Sequence, residues 1–296
     1  MFAMKIKTPQ IKYIFIPFLL IMVPGSVICS QEIDTIPVYK PRTYMGTNFG
    51  YGKTTIINKG ILSVSDLNTS GDNSFSVSFD FGYSFSRSFG LSTGLGFSSY
   101  STKVSLDTYS NKFNTTDSEN ELYERRIEGS DIIELQDVSF LSLPLALNFT
   151  LPVGKKGGFF LQTGIYFSLP VIKNYSSSGT FTYAGFYPAY NVLLEDLPEY
   201  GFVSNAAVKA DGTPDLKPIT IQGGGGAGFK YLFGKSIEVL VGVNYIRSLS
   251  GFVNYPSPEE FQLSSDENQM ISMLGGCSKV ATQSLGFNLS LRYYLK

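Results

Sequence analysis

Histidine and tryptophan are absent from the 296 residues, and cysteine occurs only twice. Without an imidazole the commonest general base is missing. A nucleophile would then need activation by a lysine or carboxylate arrangement, and no such constellation is visible. The reading is a protein that is not an enzyme and carries no cofactor or metal. Cys29 falls in the N-terminal leader and Cys277 in a polar stretch read as a loop, so the pair gives no disulfide framework. Charged residues make up only 16% and the net charge is -1. That balance supplies no basic footprint for nucleic acid or for an anionic membrane surface. Long apolar runs are lacking too. The longest, 13–23, is too short for a spanning helix.

That short run sits in a recognisable setting. Lys5, Lys7 and Lys12 precede it, Pro24 and Gly25 break it, and small residues around 26–30 form a cleavage region before Gln31. This is the layout of a secretory signal peptide over 1–30, followed by a short lead over 31–41. Lipidation at Cys29 is the alternative, and the bulky Ile28 before it argues against that.

What is present is alternation. Over 74–100 the chain reads SFSVSFDFGYSFSRSFGLSTGLGFSSY. Phe75, Val77, Phe79, Phe81, Tyr83 and Phe85 alternate with small and polar residues, and the pattern resumes at Phe89. Strand side chains point alternately to opposite faces, so this is a hairpin with one oily face and one small, polar face. A bilayer supplies the apolar partner that such a face needs. Further strands are expected at 42–52, 137–151, 158–169, 218–233, 236–247 and 280–295. The connections 86–88, 153–157 and 234–235 are short, and 53–73, 106–136, 170–217 and 248–279 are long, with 53–73 either a plain connection or a continuation of the strand pair through Ile56-Ile57 and Ile61-Leu62. This rhythm predicts an all-β, eight-stranded antiparallel transmembrane β-barrel over 42–296, in the outer membrane, with short periplasmic turns and long extracellular loops. The charged stretch 106–136 reads as a solvated loop, and 170–217 as a long loop without regular elements. Outer-membrane lipid is then the first partner, and the ligand is unknown.

Two stretches carry a family resemblance. The segment 138–171, VSFLSLPLALNFTLPVGKKGGFFLQTGIYFSLPV, has a proline in a leucine-rich strand, a short basic turn and a glycine-bearing aromatic strand. It resembles the central hairpin of the small porin-family barrel domain common in Bacteroidota, including PorT-like proteins. The ending LGFNLSLRYYLK is similar to that family's closing strand, although Leu295 stands where an aromatic is expected and Lys296 follows it. The resemblance implies an outer-membrane barrel, with other envelope or secretion proteins as partners.

Pro144 cannot donate to a strand ladder, so a bulge or a locally unpaired position is expected there. The glycine-rich run 223–228 is flanked by strands, which favours room inside a narrow barrel over a phosphate loop. Asp80, Lys230, Glu238 and Arg292 fall on the faces opposite the oily ones. In a barrel of eight strands they form either a buried structural network or the lining of a narrow conduit. The aromatic patch in 181–202, with Tyr183, Phe186, Tyr187, Tyr190 and Tyr200, is either a recognition surface or a self-packed cap. Three functions follow: a loop-presenting scaffold or assembly component, a narrow pore for small solutes or ions, or a secreted lipocalin-like binder with its oily faces inward.

Overall fold

The structure, a computed structural model, describes residues 40–61, 67–254 and 261–295. The expected leader over 1–30, Cys29 and nearly all of the lead lie outside those residues. The alternating segments form long strands: β1 (Arg42–Ile61), β2 (Leu67–Ser84), β3 (Phe89–Thr116), β4 (Leu122–Val153) and β5 (Gly157–Tyr187). Two short strands follow, β6 (Val192–Leu194) and β7 (Ala206–Gly212), then β8 (Thr220–Phe233) and β9 (Ile237–Ser248). A small ribbon, β10 (Ser264–Asp266) with β11 (Gln269–Met270), precedes the last strand, β12 (Cys277–Tyr294).

Eight strands run in the order β4-β3-β2-β1-β12-β9-β8-β5, and β4 pairs with β5 to close the ring. Tyr44↔Tyr294 through Ile61↔Cys277 joins the first strand to the last, so the ring has no open edge. Rows such as Phe49↔Val77 and Tyr51↔Phe75 put the apolar residues outside, while Gly46↔Asp80 and Gly50↔Ser76 put small and polar ones inside. Phe79 (58% exposed) and Phe287 (71%) mark an outer girdle that no described residue covers. An apolar exterior over a polar interior is what a bilayer selects in a closed barrel. The expectation of eight strands with an oily outside holds. A closed ring also predicts that unboiled protein in mild detergent migrates apart from the boiled chain on a gel; identical mobility would count against closure.

At one end the connections are tight. Gly154 and Gly234 take positive φ, 64° and 65°, at two of the turns, where a Cβ would be strained. At the other end the structure departs from the sequence reading. The stretch 106–136 is not a solvated loop: β3 continues to Thr116, and β4 starts at Leu122. Val104, Leu106, Ile127 and Ile132 point inward and are buried, so pairing keeps most of the charged residues on the outer side of an ordered ribbon, Arg125 and Glu134 being buried inside it. Likewise β5 extends to Tyr187, and β6 and β7 pair with it, inside what was read as an irregular connection. The strand β4, at 32 residues, is about three times the 9–11 that cross a bilayer. Two-thirds of it therefore stands clear of the membrane. Cys277 is not in a loop; it opens β12 and is buried.

Pro144 makes no bulge. The registers Thr93↔Leu145 and Gly96↔Ser142 agree, and only the two positions between them drop out of the β3 ladder, where the missing N–H would have pointed. A bulge does occur at another proline, where Ser139↔Ile172 is followed by Phe140↔Pro170. In the run 223–228, alternate glycines serve the lumen. A Cβ on Gly228 would meet the Phe160 ring at 2.9 Å, as would one on Gly242.

Candidate functional site

The lumen is layered. At the tight-turn end, Glu238 lies directly opposite Arg292 on β12, and Lys230 on β8 sits on its diagonal. Lys230 Nζ is 2.8 Å from Glu238 Oε1, and Arg292 Nη1 is 3.8 Å from Oε2. Tyr294 OH donates to the same Oε2 at 3.1 Å. The Arg292 guanidinium rests over the Tyr44 ring, 4.6 Å from its centroid. The structure thus brings together three of the four lumen residues expected from sequence. Asp80 stands apart; it accepts from Ser78 Oγ at 2.9 Å and makes no ion pair among the described residues.

Open space follows the layering. A cavity of about 420 Å³ occupies the tight-turn mouth. A separate one of about 80 Å³ lies beside Asp80, Gln162 and Asn288. Above it runs a buried hydrogen-bonded belt. Ser142 and Ser168 share a hydrogen bond (2.8 Å), Ser168 Oγ donates to Gln222 Oε1 (3.1 Å), and Gln222 Nε2 donates to Thr282 Oγ1 (3.0 Å).

Beyond the belt the interior turns apolar. Tyr100, Val104, Phe140 and Phe181 from the ring pack against Phe252, Phe261, Leu263, Met273 and Leu274 from the β9–β12 connection. Phe140 meets Phe252 edge-on at 5.9 Å. The described residues of the connection form an inserted plug. Its anchor is Glu134 on β4, which is fully buried and receives four hydrogen bonds. Gln136 Nε2 and Ser177 Oγ donate at 2.7 Å, Ser272 Oγ at 2.9 Å, and the Met273 N–H at 2.7 Å. Burial pushes this carboxyl above the usual carboxylate range, and the donated hydrogen bonds only partly offset that. Beside it, burial and then the Glu134 charge push the Cys277 thiol up to about 12, which leaves it inert. Sequence reasoning missed Glu134. The signal was available, because Ile132, Glu134, Gln136 and Val138 continue the period of two that was broken off at 137.

The predicted aromatic patch divides. Tyr183 is fully buried in the plug region, where its OH donates to the Asp266 carbonyl at 2.8 Å. Tyr187 is buried against Tyr123 and Phe202. Phe186 is half-buried, with the Arg126 guanidinium 4.4 Å above its ring. Only Tyr190 and Tyr200 are exposed, alongside Leu122, Val192 and Leu193. The tip is braced: Tyr187 OH donates to Asp117 Oδ2 (3.0 Å) and Tyr190 OH to Glu121 Oε1 (2.7 Å), tying the end of β5 and the β5–β6 turn to the β3–β4 turn. Arg125, also unforeseen, donates to the carbonyls of Ser265 and Gly201 at 3.1 Å and so links plug to rim. Cap and surface are therefore both present, in different residues of the same patch.

Comparison with curated proteins finds no match. Among solved structures, the attachment invasion locus protein Ail of Yersinia pestis, in complex with the heparin analogue sucrose octasulfate, is 9% identical over 84% of this chain and 98% of that one. Its TM-score of 0.30 is too low to bear on fold or function. The family description "Outer membrane protein beta-barrel domain" matches residues 43–254, well over half of the chain and seven of the eight ring strands. With that span matched, and with a closed ring that is apolar outside and polar within, the chain belongs to the outer membrane protein beta-barrel domain family.

Proposed function

We propose that this outer-membrane barrel is a non-enzymatic scaffold that presents a rigid outer surface to another component of the envelope, and that it does not conduct. The observation that carries this reading is the plug. Phe252, Leu263, Met273 and Leu274 fill the ring beyond the hydrogen-bonded belt, and an apolar constriction of packed side chains resists wetting. The surface it would present is the braced tip, with Tyr190, Tyr200, Val192 and Leu193 exposed on hydrogen-bonded supports. Aromatic groups held this way lose little conformational entropy on binding. A lipocalin-like binder would need its oily faces inward, whereas Phe79 and Phe287 face out. The PorT-like resemblance extends the proposal to a part in a secretion assembly, with export directed by the 1–30 leader and its cleavage. Absence of histidine from the sequence supports the non-enzymatic part.

Planar-bilayer recording on the full chain tests the choice. The expected result is no steady stepwise current. Discrete conductance steps that change with Asp80→Asn or Arg292→Gln would overturn the scaffold reading in favour of a narrow pore lined by those residues.

A further inference from the structure

The periplasmic mouth is charged out of proportion to the chain. Among the described residues six cations, Arg42, Arg87, Lys155, Lys156, Lys230 and Arg292, line its cavity of about 420 Å³, against the single carboxylate of Glu238. The whole sequence carries a net charge of -1, so this concentration is a matter of placement and not of composition. Three of the turns and strand ends supply it: Arg87 comes from the β2–β3 turn, Lys155 and Lys156 from the β4–β5 turn, and Arg42 from the start of β1. A concave site lined by one sign of charge, with low-dielectric walls, concentrates ions of the other sign.

Arg292 adds a second, independent pointer. It is over nine-tenths buried, yet its guanidinium is poorly satisfied. Its contact with Glu238 is long, at 3.8 Å, and its hydrogen bond to Asn148 Oδ1 spans 3.5 Å. Nε has no hydrogen-bond partner among the described residues. Five donors in a fixed fork normally find strong acceptors when they leave water, because leaving them short is costly. Tyr44 holds the group flat against the cavity wall. A buried, aromatic-backed arginine beneath the exposed Lys155, Lys156 and Arg87 of two neighbouring turns is suited to a compact, multiply charged oxyanion.

We infer that the periplasmic mouth is a binding site for a phosphate group, seated on Arg292 and enclosed by Lys155, Lys156 and Arg87. A phosphate of this kind has two sources, a phospholipid headgroup of the inner leaflet or a soluble phosphate compound of the periplasm. The site goes beyond the scaffold reading and does not depend on it, since it lies on the opposite side of the membrane from the presented tip.

The test uses the full chain in nanodiscs of phosphatidylethanolamine, with or without phosphatidylglycerol, and inorganic pyrophosphate as the soluble probe. Two variants accompany it: Lys155→Gln with Lys156→Gln, whose side chains are exposed on a turn, and Arg292→Gln. Saturable pyrophosphate binding in the neutral nanodiscs, weakened roughly tenfold or more by either variant, supports a soluble ligand. Retention of phosphatidylglycerol in native mass spectra, lost in the lysine variant, supports a headgroup. Absence of both, or binding that the lysine variant leaves unchanged, overturns the site.

Discussion

Replacing Glu134 with Ala is expected to loosen the plug and expose Cys277 to a soluble thiol reagent in the intact barrel. In the native protein the thiol is buried and hydrogen-bonded to the Met273 carbonyl at 3.2 Å, so labelling waits on opening of the β9–β12 connection. The carboxylate gathers donors from three segments: Gln136 on its own strand, Ser177 on β5, and Ser272 and Met273 on the plug. Removing it strands four donors in an apolar interior, at about 1–3 kcal/mol for each one that finds no new partner. A loss of at least about 3 kcal/mol in plug stability follows, which is more than a hundredfold in the open fraction and in labelling rate. The pH dependence has a definite sign. The folded value of Glu134 is raised, so the folded chain holds this proton to higher pH than the unfolded chain does. The contribution of Glu134 is therefore fullest below the ordinary carboxylate range and declines as pH rises through the raised folded value. Glu134→Gln, which cannot ionise, should lose that dependence in heat-mobility midpoints measured from acid to neutral pH. Labelling of Glu134→Ala at the native rate would show that the plug is held by its apolar packing alone.

Most of the ring was legible because a bilayer-facing strand announces itself by strict alternation. Phe75 to Phe85 and Leu141 to Leu151 alternate large apolar with small or polar residues, and both became barrel wall as expected. The extension above the membrane was not legible, for a physical reason. Once the ribbon leaves lipid, its outer face reverts to water, and residues such as Glu124, Arg126 and Glu128 make the segment read as a loop. The inner face still alternates, but Ile127, Ile132 and Glu134 sit among charges that mask the pattern. Asp131, with φ of 51°, and the register shift between Ser130 and Ile133 break the phase as well. The plug had no period to find. Phe252, Leu263 and Leu274 are scattered through polar sequence, and only the closed ring around them shows what they fill. The lumen charges were legible as inward-facing positions. Their partners were not, because the stagger of the strands decides which of them meet.

That stagger leads to the other large effect, at Glu238. Glu238→Ala leaves Lys230 and Arg292 buried at the mouth with no other carboxylate among the described residues within ion-pair distance. Their side chains are only 15% and 10% exposed, so solvent screens little of the mutual repulsion. Breaking a buried pair by deleting one partner typically costs about 3–5 kcal/mol, because the surviving charge stays desolvated. Here two cations survive, and Tyr294 loses the acceptor for its OH. Asp80→Asn should behave quite differently. Asp80 balances no cation within ion-pair distance, and an amide oxygen can still accept from Ser78, so a change under about 1 kcal/mol is expected. Urea unfolding in lipid vesicles separates the two, and a Glu238→Ala, Lys230→Met double variant isolates the coupling. If the ion pair is structural, removing Lys230 as well should recover part of the loss, since one buried charge then disappears with its partner. Equal, small effects of Glu238→Ala and Asp80→Asn would mean instead that water reaches the mouth freely enough to screen Lys230 and Arg292, and the three residues would then be lining and not framework.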